Sequence, residues 1–168
     1  RLLSIGLDGT EFRRKGWREL IFSTPDLNEY VSVIIMYDET VRQKSQLGQS
    51  FVGMLTSFGI VPGVKVDTGT EHLVDSDGEF LTHGLDGLSK RLREYKNFDI
   101  QFTKWRSVLN IGPNTPSDDC IRLNANRLSK YASIAQREGF VPIVEPEVLM
   151  DGDHSLKKCY EVTDKVLN

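Results

Sequence analysis

Four short runs rich in apolar and β-branched residues, at 31–37, 60–67, 102–109 and 141–149, recur along this 168-residue chain with helix-length segments between them. That order leaves few folds open. Neighbouring strands joined by crossovers of this length run parallel, and helices normally supply the crossovers, so the class is α/β. Leu85, Leu88 and Leu92 step by threes and fours through GLDGLSKRLREY, with Lys90, Arg91 and Arg93 on the other side. After Thr115-Pro116, Ser117 is placed to cap a helix in which Ile121, Ala125, Leu128, Ala132 and Ala135 form a stripe that Gly139 ends. Asp153 can cap a last helix carrying Leu156, Cys159 and Val166. Residues 67–84 contain Ser76-Asp77-Gly78 between two extended patches and suggest a hairpin-like excursion after a strand. No repeat, low-complexity tract or linker divides the sequence, and residues 1–168 are expected to form one structural unit.

A parallel strand covered on both faces should be almost wholly apolar, yet three of these runs contain charge. The two-residue period of a strand puts Lys104 and Arg106 on one face of FTKWRSVL, with Thr103, Trp105 and Ser107 on the other. The same arithmetic pairs Lys65 with Asp67 in VPGVKVD and Glu145 with Glu147 in VPIVEPEVL. One such pair would be ordinary at a sheet edge. Three pairs in consecutive strands call for a shared polar site, because an unpaired buried charge costs several kcal/mol, on the order of 3–5. In a (β/α) barrel, inward side chains near the strand C-termini converge, so two lysines, an arginine and two glutamates are expected to meet. That set suits an anionic substrate with a carbonyl group: cations bind phosphate and stabilise oxyanions, while one of two close carboxylates holds a proton and works as acid or base.

Charged residues make up 27% of the chain and the net charge is −3, which favours neither nucleic acid nor an acidic membrane surface. No apolar run approaches the roughly 18 residues of a membrane span, and no signal-peptide pattern opens the chain, so a cytoplasmic protein is expected. Cys120 and Cys159 read as buried free thiols. His72, His83 and His154 are scattered, with no His-x-His or HExxH spacing, and neither a metal nor another cofactor is expected.

The stretches RLLSIG, YDET, GVKVDTG, THGLDGLSKR, FTKWRSVL, ANRLSKYASI, VPIVEPEVLMDGDH and KKCYEVTDKVL, in this order and spacing, resemble class I fructose-bisphosphate aldolase from Arg1 to Asn168. The resemblance implies a (β/α)8 barrel, of which this chain would supply strands two to five, and a homotetramer for the full-length protein. It implies reversible cleavage of fructose 1,6-bisphosphate to dihydroxyacetone phosphate and glyceraldehyde 3-phosphate through a lysine Schiff base. Carried onto matching positions, Glu145 resembles the proton acceptor and general acid/base, and Glu147 the second carboxylate, which positions the imine lysine. Lys104 resembles the cation that assists carbon–carbon cleavage. Arg106 resembles its neighbour at the reacting carbon, while Lys65 and Arg1 resemble substrate and phosphate contacts.

The family's imine lysine lies in an LKPN motif on a later strand, and no Lys-Pro-Asn occurs in this sequence. A chain that starts at Arg1 and stops within a helix is therefore expected to be the central piece of a longer protein, inactive by itself. Two other readings compete: a non-catalytic scaffold derived from aldolase, and another Schiff-base barrel such as a transaldolase. The three charged strand pairs disfavour the first, and KWR with VEPE disfavours the second.

Overall fold

The computed structural model describes residues 3–76 and 78–168, which form two compact units. The first comprises the residues through Lys65 together with Tyr95–Gln101. It contains a 3-10 turn at Leu3–Ile5, helices α1 (Glu11–Phe22) and α2 (Leu27–Tyr30), strand β1 (Val33–Met36), helices α3 (Asp38–Val41) and α4 (Phe51–Ser57), and strand β2 (Val61–Lys65). β1 and β2 are parallel, from Val33 opposite Val61 to Met36 opposite Val64. Ser50 starts α4 by accepting the Gly53 N–H at 3.0 Å, which places Phe51, Val52 and Leu55 in the core. Phe22 at the end of α1 meets Phe51 edge to face, with centroids 5.3 Å apart.

Glu39 in α3 is the electrostatic centre of this unit. Arg14 bonds it through two nitrogens, at 3.1 and 2.6 Å, and Arg18 through one at 2.8 Å. The Arg14 hydrogen bonds, chiefly, hold its pKa at about 2 against an ordinary 4.5. The resulting stabilisation is complete above pH 4.5 and is lost as the pH falls toward 2. In acid titrations of the unfolding midpoint, Glu39→Gln is expected to flatten the loss of stability below pH 4.5 relative to the parent.

The second unit comprises Val66–Glu94 and Phe102–Asn168. It contains strands β3 (Thr70–His72) and β4 (Phe80–Thr82), helix α5 (Leu88–Lys96, whose end belongs to the first unit), strand β5 (Phe102–Leu109), helix α6 (Asp118–Arg137), strand β6 (Val141–Val148) and helix α7 (Leu156–Leu167). β3 and β4 pair antiparallel, so the excursion expected over 67–84 is a hairpin. β5 and β6 pair in parallel over eight residues, from Phe102 opposite Val141 to Leu109 opposite Val148. Ser117 caps α6 as expected, accepting the Cys120 N–H at 3.1 Å, and Gly139, at φ 83°, ends it in a conformation a side chain would resist. Glu79 fixes the cap, accepting from Ser117 N at 2.7 Å and Ser117 Oγ at 2.6 Å.

Three local expectations need correction. The buried line of α6 is Cys120, Asn124, Leu128, Tyr131 and Ala135, so Ile121, Ala125 and Ala132 flank it and line an open apolar hollow of about 290 Å³ with Val144, Pro146 and Val166. Ser155, and not Asp153, caps α7 by accepting the Lys158 N–H at 3.2 Å. Leu85 lies before α5, whose buried stripe is Leu88, Leu92 and Tyr95, and Arg91 turns inward to bond backbone carbonyls.

Cys120 is buried and free, whereas Cys159 is half-buried. Burial, with the nearby Glu79 carboxylate as a second cause, pushes the Cys120 thiol up to about 11. Iodoacetamide at pH 8 is therefore expected to spare Cys120 until denaturant is added and to label Cys159 first, a difference that peptide mass spectrometry reads directly. Among the described residues, no helix is long and apolar enough to cross a membrane.

Candidate active site

The site is built on β5 and β6. Alternation along β5 turns Thr103, Trp105, Ser107 and Leu109 into the core and leaves Lys104, Arg106 and Val108 half-buried on the opposite face. The core face is held by α6. Tyr131 shares a 2.7 Å hydrogen bond with Thr103 Oγ1, stacks on Trp105 at 5.3 Å and donates to the Ile143 carbonyl at 3.3 Å. One helix residue thus fixes the backbone of both strands behind the charged face. Burial, chiefly, pushes the Tyr131 phenol up to about 12, so it stays protonated at neutral pH.

On the charged face the cations and carboxylates pair diagonally. Arg106 is opposite Glu145 and Lys104 opposite Ile143 in the strand register. Each cation nevertheless reaches one same-face position further along β6: Lys104 Nζ lies 2.8 Å from Glu145 Oε1, and Arg106 Nε bonds Glu147 Oε2. Each carboxylate thus has a cation of its own on β5. The Arg106 hydrogen bond is the main cause that holds Glu147 below the ordinary carboxylate range, and the Glu147 bond in turn raises Arg106. Glu147 is an ionised carboxylate at neutral pH.

Glu145 differs from its neighbour in one respect. While Oε1 faces Lys104, Oε2 is buried and has no hydrogen-bond partner. A buried acceptor left open costs about 1–3 kcal/mol unless something fills it, and such a group in a charged site is placed to meet a ligand. The side chain as a whole is 31% exposed although Oε2 itself is buried, so a substrate approaching the exposed part meets Oε2 after a turn of the carboxylate. The cluster can therefore supply a proton acceptor at Glu145 Oε2, an ammonium beside it and a fixed guanidinium one step along the strands.

Of the six expected site residues, Lys104, Arg106, Glu145 and Glu147 are brought together here. Lys65 closes β2 in the first unit, where its ammonium lies 6.0 Å from the centroid of the Tyr37 ring. Arg1 lies outside the described residues. Asp67 and Arg91 were not expected in supporting roles. Asp67 Oδ2 accepts the Arg106 backbone N–H at 3.2 Å, and only its place on the Lys65 face hinted at this.

Comparison with known proteins gives one consistent answer. Residues 1–168 match the family described as Fructose-bisphosphate aldolase class-I. The chain is 48% identical over 167 residues to a probable fructose-bisphosphate aldolase class 1 of Xanthomonas campestris, covering 99% of this chain and 50% of the relative. It is 47% identical to the cytosolic fructose-bisphosphate aldolase 4 of Arabidopsis thaliana, covering 99% of this chain and 42% of the relative. Identity to the muscle-type enzyme of Lethenteron camtschaticum is 49% over 168 residues, 99% of this chain and 46% of the relative. Among solved structures, the fructose-bisphosphate aldolase of Plasmodium falciparum superposes with a TM-score of 0.94 at 43% identity, covering 98% of this chain and 48% of that one. The chain thus spans about half the length of the curated relatives it matches. Its fold is α/β and corresponds to part of a (β/α)8 barrel, as expected.

Proposed function

This chain belongs to the class I fructose-bisphosphate aldolase family, and on that premise we propose that it supplies the proton-transfer and charge-handling half of an aldolase active site. The substrate is fructose 1,6-bisphosphate, cleaved reversibly to dihydroxyacetone phosphate and glyceraldehyde 3-phosphate through a lysine Schiff base. The observation that carries this reading is the open, buried Oε2 of Glu145 beside the Lys104 ammonium.

Glu145 takes and returns the substrate proton at Oε2 while Lys104 holds Oε1, so the carboxylate is oriented before substrate arrives. The Lys104 ammonium is also within reach of an oxyanion that develops next to Glu145, and contributes charge stabilisation there. Arg106, pinned by Glu147, presents a cation of fixed position suited to an anionic substrate. Glu147, ionised through that same bond, serves as the second carboxylate and positions the imine lysine. Lys65 and Arg1 are assigned to substrate phosphates. A non-catalytic scaffold would leave the open Glu145 oxygen without a purpose.

The imine lysine is not among these residues, since no Lys-Pro-Asn occurs in the chain. Residues 1–168, taken as one part of a barrel, are therefore inactive by themselves. The full-length protein is a homotetramer of the cytoplasm, a location supported by the cytosolic relative, and acts without a metal or other cofactor. A coupled assay of the full-length protein tests the reading: turnover of fructose 1,6-bisphosphate that survives chelation is expected, and no turnover with any hexose phosphate would refute it.

A further inference from the structure

The backbone next to Arg106 departs from a regular ladder. Val66 N donates to the Lys104 carbonyl at 3.0 Å, as a parallel ladder requires. Even spacing would bring the Arg106 N–H to the Val66 carbonyl as the following rung. Both groups have side-chain partners. Arg106 N donates to Asp67 Oδ2 at 3.2 Å, and the Val66 carbonyl accepts Arg91 Nη1 at 2.8 Å. The other arm of Arg91, Nη2, bonds the Gly84 carbonyl. Gly84 sits at φ 130°, and a Cβ there would come within 3.0 Å of Thr68 N and 3.2 Å of the Asp67 Cα, so the close approach of residue 84 to Asp67 requires glycine.

We propose that Asp67 and Arg91 are positioning residues for the charged site: together they replace one rung of the ladder and fix β5 where Arg106 leaves it, aiming Lys104 and Arg106 at their carboxylates. The inference rests on the reading of Lys104 and Glu145 as catalytic groups. Its physical basis is geometric. The ladder would tie Arg106 to the Val66 carbonyl, whereas here a side-chain oxygen of Asp67 accepts the Arg106 N–H at 3.2 Å and fixes the backbone of the residue that carries the guanidinium. The forked guanidinium of Arg91 can hold two carbonyls at once, which an ammonium cannot do in the same geometry. Positioning errors near 1 Å lower rates by as much as about 100-fold, so a clamp of this kind acts on turnover and not on binding alone.

Asp67→Asn and Asp67→Ala in the full-length protein separate the bond from the charge, since the asparagine carbonyl oxygen still accepts an N–H. Hydrogen exchange of the Arg106 amide and steady-state cleavage of fructose 1,6-bisphosphate are measured together. Asp67→Ala is expected to speed exchange at Arg106 about tenfold or more and to lower kcat about tenfold, while KM stays within about threefold. Asp67→Asn is expected to restore both readings to within about threefold of the parent. Equal loss of kcat in both variants, or parental kcat in Asp67→Ala despite faster exchange, would overturn the proposal. If Asp67→Ala does not fold, Arg91→Lys replaces it: kcat should fall severalfold, and parental kcat overturns the proposal. A parent protein that cleaves nothing would refute the activity reading instead, while exchange at Arg106 still reports the clamp.

Discussion

Glu145→Gln in the full-length protein is expected to lower kcat for fructose 1,6-bisphosphate cleavage by about 10²–10⁴-fold while KM changes no more than a few-fold. The amide keeps the shape of the carboxylate, and its oxygen can still face the Lys104 ammonium at the position now 2.8 Å away. What it cannot do is take a proton at the second position, where Oε2 is buried and open. Because the glutamine oxygen keeps a hydrogen bond to Lys104, the substitution is expected to change stability little. An unchanged unfolding midpoint beside a large loss of kcat is the expected pattern. If kcat and stability fell together, Glu145 would be a structural residue, and the open oxygen would have no catalytic meaning.

Trp105→Ala is expected to cost about 3–5 kcal/mol of stability. Trp105 is 0% exposed, stacks on Tyr131 at 5.3 Å and lies between Lys104 and Arg106 in sequence while pointing to the opposite face. Truncation empties the space between β5 and α6 and loosens the strand that carries both cations. The indole Nε1 is itself buried without a partner, so the parent already carries a polar penalty at this position. Trp105→Phe keeps the ring stack and removes that donor, and should cost less than half as much. Urea titration of the two variants checks the pair of values. A Trp105→Ala cost below about 1 kcal/mol would mean that the α6 face does not hold the strand.

Much of the site could be read from the alternation in FTKWRSVL and VPIVEPEVL, because a strand has a fixed two-residue period and charge inside an apolar run needs a cause. The faces of Lys104, Arg106, Glu145 and Glu147 follow from that period alone. Their pairing does not. Lys104 reaches Glu145 and Arg106 reaches Glu147 because of the register in which β5 and β6 pair, which no local pattern encodes. That register gives each carboxylate its own cation, a pairing that proximity in sequence did not suggest.

Asp67 and Arg91 illustrate a second limit. Arg91 stands among the polar residues of an amphipathic helix and is indistinguishable there from Lys90 or Arg93, yet its guanidinium turns back onto the Val66 and Gly84 carbonyls. Among the helices, α6 was legible from its cap and its stop, and Leu128 and Ala135 are buried as expected, although Cys120, Asn124 and Tyr131 take the places expected of Ile121, Ala125 and Ala132. α1 was not legible: Phe12, Trp17 and Leu20 are exposed and only Phe22 is buried, so no apolar stripe marks it. α4 spans only seven residues, too few for a period to show.

The measurement that bears most directly on the proposed chemistry is borohydride trapping with dihydroxyacetone phosphate, followed by peptide mapping, on the full-length protein and on residues 1–168 alone. A stable adduct on a lysine outside this sequence, with none on residues 1–168, is expected. An adduct on Lys65 or Lys104 would contradict the assignment, because the imine-forming amine would then be a lysine assigned to a substrate phosphate or to holding Glu145.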